Sequence, residues 1–246
     1  MADSDVVIAH VRPSLLGTYG DGGNALVLQQ RLRRRGIAAE VLTLDGSEPV
    51  PRSSGVVVIG GGEDDAQTVV AHDVALRDSL RGAIDAGASV LAVCAGFQIL
   101  GSRFDGSDGA VTGFDIIDGF SDRLPQRAVG EIVTRADVER LGVLTGFENH
   151  QGRTVLGPDA APLGRVVVGV GNGHESVDGA VAGGVYATYL HGPVLARNPA
   201  LADALLARVV GPLQPLPFDD VDVLRSERLH AALTTAPRRR RWLRSG

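Results

Sequence analysis

The sequence predicts an α/β protein with a mainly parallel central sheet, flanking helices and a more β-rich second half. Apolar runs alternate with helical segments over the first hundred residues, which is typical of doubly wound sheets. Val56–Ile59 and Ser89–Val93 are short and apolar, as strands buried on both faces of a parallel sheet are. Residues 60–62 and Cys94 directly follow these two strands, at the edge where such sheets bind ligands.

The first elements follow from local patterns. Val6–Val11 is a short apolar run bounded by charged residues, which suits a buried strand. A turn-rich segment leads to a predicted helix over residues 24–35, with Asn24 as its cap and Gly36 as its stop. Residues 37–44 are predicted as the second strand.

A longer helix is predicted between the third and fourth strands. Residues 66–86 place Val70, Val74 and Ile84 on one side of a single helix, and Gly87 ends it. This helix continues the alternation of strands and helices up to the strand that precedes Cys94.

The character of the chain changes after residue 101. Glycine is frequent and apolar runs are short up to residue 189, which predicts mostly antiparallel strands and loops. Three prolines interrupt the chain after a predicted helix over residues 198–210, and a surface helix is predicted over residues 221–233. The expected organisation is one domain over residues 1–210 and a C-terminal extension over residues 211–246.

Composition narrows the class of protein. The 246 residues are 44% hydrophobic and carry a net charge of -5, which fits a globular protein and disfavours a nucleic-acid-binding domain. No transmembrane run or signal peptide is recognisable, so a cytoplasmic location is expected. The single cysteine excludes internal disulfides and Cys-rich metal sites, and no metal is expected.

The basic residues 238–241 are expected to form a solvated tail, or else to contact anionic lipid or a partner.

Cys94 is the strongest candidate for a catalytic residue. It stands between a predicted strand and a predicted helix, and Ala92 and Gly96 are the small flanking residues of a nucleophile elbow. The following helix would direct its N-terminal N–H groups at the sulfur and stabilise a thiolate. A buried structural cysteine is the plainer alternative, but the strand, the small flanks and the helix together favour catalysis.

A thiolate nucleophile needs a base, and His191 is the best candidate. It follows a short apolar run and precedes a glycine and a proline, so it can also lie at the sheet edge. His150 is the main competitor, because its loop is rich in polar residues. The remaining histidines are interpreted as surface or structural residues: His10, His72, His174 and His230.

The two candidate segments resemble a known family. Residues 94–98 (Cys-Ala-Gly-Phe-Gln) and 189–193 (Tyr-Leu-His-Gly-Pro) are similar to class I glutamine amidotransferases of the cobyric acid synthase branch. Within that branch the resemblance is to the glutaminase subunits of lipid II isoglutaminyl synthases, the GatD type. It runs from residue 6 to residue 210, with further matching segments at residues 16–24, 60–64 and 146–150.

The resemblance implies a glutaminase that needs no cofactor of its own. Cys94 would attack the side-chain amide of glutamine while His191 relays protons, so that ammonia leaves a γ-glutamyl thioester that water then hydrolyses. Backbone N–H groups of Gly61 or Gly62, together with that of Ala95, would hold the oxyanion.

By position, the resemblance also implies substrate contacts. Arg127 would bind the α-carboxylate of glutamine through a two-pronged contact, and Gln98 would lie against the substrate. The alternative for Arg127 is an ordinary surface arginine, because its own neighbours specify no site.

One position departs from the family pattern. Class I enzymes usually carry a glutamate two residues after the histidine, where it orients the imidazole, and this chain has Pro193 there. The third member of the triad is then absent, supplied by another part of the chain, or contributed by a partner subunit. In the last case we expect the rate of glutamine hydrolysis to be low in the isolated chain and to rise when the partner binds. The candidates within the chain are Asp or Glu positions, Glu63 and Glu148 among them.

The resemblance further implies a heterodimer. Ammonia would pass to a Mur-ligase-like synthetase subunit that binds ATP and Mg²⁺ and amidates the D-glutamate of membrane-bound lipid II. This chain has no lysine, and therefore no P-loop. Three alternatives stay open: a glutaminase of another cobyric acid-type synthase, a non-catalytic binding module, and a nucleotide-binding protein. The last is disfavoured because residues 60–62 lack the spacing of a dinucleotide fingerprint.

Overall fold

The computed structural model describes residues 6–217 and 220–235. The strands in this part of the chain are β1 (Val6–Val11), β2 (Ala39–Leu44), β3 (Val56–Ile59), β4 (Ser89–Val93), β5 (Arg103–Gly106), β6 (Gly109–Thr112), β7 (Gly119–Ala136), β8 (Val143–Leu156), β9 (Gly164–Val168), β10 (Val177–Asp178), β11 (Ala180–Ala182) and β12 (Val185–Thr188). The helices are α1 (Gly22–Arg33), α2 (Asp64–Ala71), α3 (Val74–Asp85), α4 (Ala95–Leu100), α5 (Val194–Arg197), α6 (Pro199–Val210) and α7 (Asp220–Thr235).

A six-stranded sheet forms the centre of the fold, in the order β11-β12-β4-β3-β1-β2. All neighbouring pairs are parallel except β11 with β12, at one edge. Every residue of β3, β4 and β12 is buried, as expected for parallel strands covered on both faces. Helices α1, α4 and α6 pack against these strands. The predicted fold class is confirmed.

A second, antiparallel sheet has the order β10-β9-β7-β8. Its main feature is the long β7–β8 hairpin, whose register is interrupted between Arg123 and Ala128. The prediction of antiparallel strands between residues 101 and 189 is confirmed for most of this region. The exception is β12, which returns to the central sheet and pairs in parallel with β4. That return brings the segment after β12 to the edge where β4 ends.

The prediction of one helix over residues 66–86 is wrong. The chain leaves the helical conformation at Asp73, whose side chain caps α3 by accepting the N–H of Leu76. Asp73 also pairs with the buried Arg12 of the segment after β1, at 2.6 Å, which holds the break in place. Val74 consequently lies exposed at the start of α3 and not on a buried side with Val70.

The predicted cap of α1 is also wrong. The helix begins at Gly22, and Asn24 is buried within its first turn. The Asn24 side chain does not cap the helix; its Oδ1 accepts the N–H of Leu195, 171 residues further along the chain. A tertiary contact therefore replaces the local one that the sequence favoured.

The C-terminal extension lies against the rest of the described chain. The Arg35 side chain donates to the backbone oxygen of Gln214, at 2.8 Å, and α7 contacts β7, β8 and α5. Helix α7 confirms the helix predicted over residues 221–233, whereas the domain boundary after residue 210 stays a prediction. Within the described ranges, no helix is long and apolar enough to cross a membrane. The basic residues 238–241 lie outside those ranges.

Candidate active site

Cys94 forms the turn between β4 and α4. Its φ of 52° and ψ of -105° lie outside the regions that L-residues prefer, a strained backbone of the kind found at nucleophile elbows. A Cβ on Gly96 would lie 2.8 Å from the oxygen of Ile59 and 3.0 Å from that of Gly60. Glycine is therefore required at this flank, as the sequence pattern predicted. The Cys94 N–H donates to the oxygen of Thr188, which ties the elbow to β12.

His191 lies directly beside this elbow. It follows β12, and its backbone pairs with that of Phe147 in β8, with the His191 N–H 2.8 Å from the Phe147 oxygen. A Cβ on Gly61 would lie 2.7 Å from Cε1 of His191 and 3.3 Å from Cβ of Cys94. The two side chains thus face the same glycine, and the structure brings the predicted nucleophile and base together.

Two aromatic rings enclose the imidazole of His191. Phe147 stacks on it with 5.5 Å between ring centroids, and Tyr19 packs against it at 4.6 Å. The Tyr19 hydroxyl in turn accepts a hydrogen bond from Arg127 at 3.3 Å. Tyr19 therefore links the residue predicted to bind substrate to the residue predicted to act as base.

A carboxylate lies behind His191, and sequence reasoning did not identify it. Oδ2 of Asp21 is 3.2 Å from Nδ1 of His191, and both side chains are 0% exposed. The same Oδ2 accepts the N–H of Gly61 at 2.8 Å. Asp21 belongs to the segment 16–24 that carries part of the family resemblance, but nothing local to His191 indicates it.

Neither glutamate suggested from the sequence occupies this position. Glu63 immediately precedes α2 and is exposed at a pocket that Cys94 and Arg127 also line. Glu148 is buried, but its carboxylate accepts the N–H groups of Val170 and Gly171. It therefore holds the loop after β9 and does not contact His191.

Opposing effects set the pKa of His191. Burial lowers the pKa, but the hydrogen bond with Asp21 and the neighbouring Cys94 raise it, and the result is a pKa of about 9. The imidazole is therefore protonated at neutral pH, which favours a thiolate beside it. Nε2 forms no hydrogen bond with any residue that the structure describes, so it is the ring nitrogen left for a proton transfer.

His150 lines the pocket that contains Cys94, but its ring makes other contacts. Its ring stacks on Tyr189 with 3.8 Å between centroids, and Nδ1 lies 3.0 Å from the oxygen of Gly152. Its other ring nitrogen faces Glu148 at 3.5 Å. These contacts are those of a structural histidine, whereas the contacts of His191 are with Cys94 and a buried carboxylate.

Arg127 lies in the irregular part of β7 and lines the pocket that contains Cys94. Its Nε donates to Oδ1 of Asn149 at 2.6 Å, and a second nitrogen donates to Tyr19. The guanidinium is therefore held in place at the pocket and is not an unattached surface group. This position is compatible with the predicted contact to a substrate carboxylate.

Gln98 also lines the pocket, although its side-chain amide is already hydrogen-bonded. Its Oε1 accepts from Gln67 at 2.9 Å, and its Nε2 donates to the hydroxyl of Tyr189 at 3.2 Å. Gly152 packs so closely on this amide that a Cβ there would lie 2.1 Å from the Gln98 Nε2. Gln98 is thus oriented by its neighbours before any substrate arrives.

The backbone donors predicted for the oxyanion are not equivalent. The N–H of Gly61 is already donated to Asp21. The N–H groups of Gly62 and Ala95 donate to no other atom in the described part of the chain. Of the two alternatives on the loop after β3, the geometry therefore favours Gly62, paired with Ala95 at the start of α4.

Comparisons with known proteins indicate the family of this chain. Residues 7–199 match the CobB/CobQ-like glutamine amidotransferase domain. The chain is 32% identical to the lipid II isoglutaminyl synthase (glutamine-hydrolyzing) subunit GatD of Staphylococcus aureus, over 89% of this chain and 90% of that protein. It is 36% identical to the GatD subunit of Streptococcus pneumoniae, over 81% of this chain and 78% of that protein.

Solved structures show the same fold at low sequence identity. One glutamine amidotransferase has a TM-score of 0.57 at 19% identity, over 82% of this chain and 98% of that one. Another, from Thermotoga maritima, has a TM-score of 0.51 at 16% identity, over 96% and 92%. The family match includes both Cys94 and His191 and covers most of the sequence. The chain therefore belongs to the CobB/CobQ-like glutamine amidotransferases.

Proposed function

We propose that this chain is the glutaminase subunit of a lipid II isoglutaminyl synthase. The observation that carries the proposal is the strained Cys94 elbow, which lies beside the buried His191. Cys94 also lines a pocket together with Arg127. The similarity to two GatD subunits, which extends over more than three quarters of each protein, supports the assignment to lipid II amidation.

Substrate binding begins at the polar pocket. The α-carboxylate of L-glutamine pairs with Arg127, whose planar guanidinium suits a two-pronged contact. This places the side-chain amide over Cys94. The developing oxyanion accepts the N–H groups of Gly62 and Ala95, and such preorganised donors are worth about 3 kcal/mol each.

The reaction proceeds in two stages. The Cys94 sulfur attacks the amide carbon, and His191 gives the proton on Nε2 to the leaving nitrogen, so that ammonia departs from a γ-glutamyl thioester. His191 then takes a proton from water as the water oxygen attacks the thioester. Glutamate leaves, and the thiolate and imidazolium are regenerated.

The ammonia is delivered to a second subunit. In the proposal this is a Mur-ligase-like synthetase that uses ATP and Mg²⁺ to activate the α-carboxyl of D-glutamate in lipid II. The chain itself has no lysine for a P-loop, which is consistent with ATP chemistry in the partner. The two proteins form a heterodimer, and contact with the membrane comes through its lipid-linked substrate.

Reconstitution tests the function. The chain and a co-expressed Mur-ligase-like subunit should co-purify and amidate a lipid II analogue in the presence of ATP and glutamine. A complex that carries Cys94→Ala should fail with glutamine but work with ammonium chloride, because only the ammonia supply is lost. Amidation of a different acceptor, with lipid II left unchanged, would assign the chain to another synthase.

Replacing Arg127 with alanine should weaken glutamine binding. Loss of a charge-assisted hydrogen bond costs about 1.5–3 kcal/mol, so the KM for glutamine should rise by about ten- to a hundredfold with a smaller change in kcat. Arg135→Ala is the matched control, because Arg135 is an exposed arginine of the same strand. Equal KM values for the two variants would show that Arg127 is an ordinary surface arginine.

The pKa of His191 predicts an alkaline limit to activity. Because this pKa is raised to about 9, the imidazolium persists through neutral pH and loses its proton only above that value. The leaving nitrogen then has no proton donor, so kcat/KM should be nearly flat around pH 8 and fall above about pH 9. Initial rates of glutamate release across pH 7 to 10 measure this, and a fall centred near 6.5 would contradict it.

A further inference from the structure

Pro193 stands where class I amidotransferases usually carry the glutamate that orients the catalytic histidine. In this structure a different carboxylate, that of Asp21, lies 3.2 Å from Nδ1 of His191. We infer that Asp21 is the positioning residue of this active site, which holds His191 in the tautomer and orientation that leave Nε2 for Cys94 and the substrate. The inference rests on the proposed glutaminase function and adds a residue to the same site.

The carboxylate is fixed from two directions. One oxygen, Oδ2, contacts both Nδ1 of His191 and the N–H of Gly61, and the Asp21 side chain is 0% exposed. A buried carboxylate is costly unless it is paired and hydrogen-bonded. These two donors satisfy Oδ2, whereas Oδ1 has no hydrogen-bond partner among the described residues. Because Asp21 accepts at Nδ1, the proton there is retained and Nε2 is the nitrogen that exchanges protons.

The packing of Pro193 explains how Asp21 reaches the histidine. A Cβ on Gly23 would lie 2.4 Å from Cγ of Pro193, so the start of α1 packs directly on the proline. One residue later, Oδ1 of Asn24 accepts the N–H of Leu195 at 2.9 Å. The segment from Asp21 to Asn24 thus fits the segment after the histidine at successive points. The packing of the start of α1 on Pro193 therefore holds Asp21 beside His191.

Few charged or titratable groups face the imidazole. They are Asp21 from the segment before α1, Cys94 from the elbow after β4, and Tyr19 from the loop after β1, whose ring packs on the imidazole. Phe147, from β8, is uncharged. Loss of the Asp21 charge would therefore act on the imidazole directly, with no second carboxylate in contact with it among the described residues.

Asp21→Asn is the first test. Asparagine keeps the size of the side chain and an oxygen for the N–H of Gly61, so the fold should persist. Loss of the orienting carboxylate costs about 10⁴-fold in a Ser-His-Asp triad, and we expect kcat here to fall by about 10²- to 10⁴-fold with KM within about threefold. Asp45→Asn removes an exposed carboxylate at the same sheet edge and should keep the wild-type rate.

Alkylation of Cys94 by iodoacetamide is an independent readout, because it is the only cysteine in the chain. The Asp21→Asn variant should react only at higher pH than the wild type. Without the charge of Asp21, the imidazole holds its proton less strongly and stabilises the thiolate less. A folded Asp21→Asn variant with wild-type kcat and a wild-type alkylation profile would overturn the inference. A wild-type chain that hydrolyses no glutamine, alone or with its partner, would refute the proposed function, while the alkylation profile would still decide the role of Asp21.

Gly23→Ala is the second variant, and it decides the matter if Asp21→Asn does not fold. It keeps every ionisable group, but its methyl group displaces the start of α1 from Pro193. The alkylation profile should shift in the same direction, and kcat should fall more than KM rises. Wild-type kcat and alkylation of a folded Gly23→Ala protein would overturn the inference, because the carboxylate would have been displaced from His191 without effect.

Discussion

Cys94→Ala is expected to abolish glutamine hydrolysis and leave the protein folded. Without sulfur no thioester can form, and removal of a catalytic nucleophile has cost about 10⁶-fold in a hydrolase in which triad members act as a unit. Here we expect a loss of at least about 10⁴-fold in the rate of glutamate release. Alanine fits the elbow because it is smaller than cysteine and has the same backbone preferences at a φ of 52°.

Two controls separate chemistry from folding in the Cys94→Ala variant. Its midpoint of thermal unfolding should stay within a few degrees of the wild type. Calorimetry should still detect glutamine binding, because Arg127 and the pocket are unchanged. A correctly folded variant that releases glutamate at a rate near the wild type would show that another residue is the nucleophile.

The elbow is predictable from sequence because its determinants are local. The strand before Cys94, the small residues on either side and the helix after it all lie within a dozen positions. The same is true of the buried strands, whose apolar residues cover the positions that the structure buries. Local signals of this kind do not depend on how the rest of the chain folds.

The carboxylate beside the base is not predictable in this way. Asp21 and His191 are 170 positions apart, and their contact exists only because α1 and the segment after β12 pack together. A search for an orienting group near the histidine, or among the glutamates, leads instead to Glu63 and Glu148. The sequence signal for Asp21 is its position within a segment that resembles the family. This position indicates that the residue is important, but it does not indicate which residue Asp21 contacts.

The helix break at Asp73 illustrates a different limit. No glycine or proline interrupts residues 66–86 until Gly82, so the periodic pattern alone favours one helix. The break depends on Asp73 capping α3 while it also pairs with Arg12. The contact with Arg12 is not visible in the local sequence, so the helix break at Asp73 cannot be predicted from the pattern of residues 66–86 alone.

Replacing His191 should cost nearly as much activity as replacing Cys94. The nucleophile and the base act on the same steps, so the double variant should be no slower than the worse of the two single variants. Because His191 is fully buried against Asp21, alanine would leave a buried carboxylate without one of its donors. His191→Gln is therefore the better variant, since its amide N–H can still donate to Asp21 but cannot transfer a proton at neutral pH.

His150→Gln is the matched control for the choice of base. Like His191, His150 is buried, and it lines the pocket that contains Cys94. Its ring, however, stacks on Tyr189, and its Nδ1 lies within hydrogen-bond distance of a backbone oxygen. Glutamate release should therefore fall far more in folded His191→Gln than in folded His150→Gln, with the fold of each checked by thermal unfolding. If His150→Gln were the slower enzyme, the base would be the histidine of β8, and the contact of His191 with Asp21 would be structural.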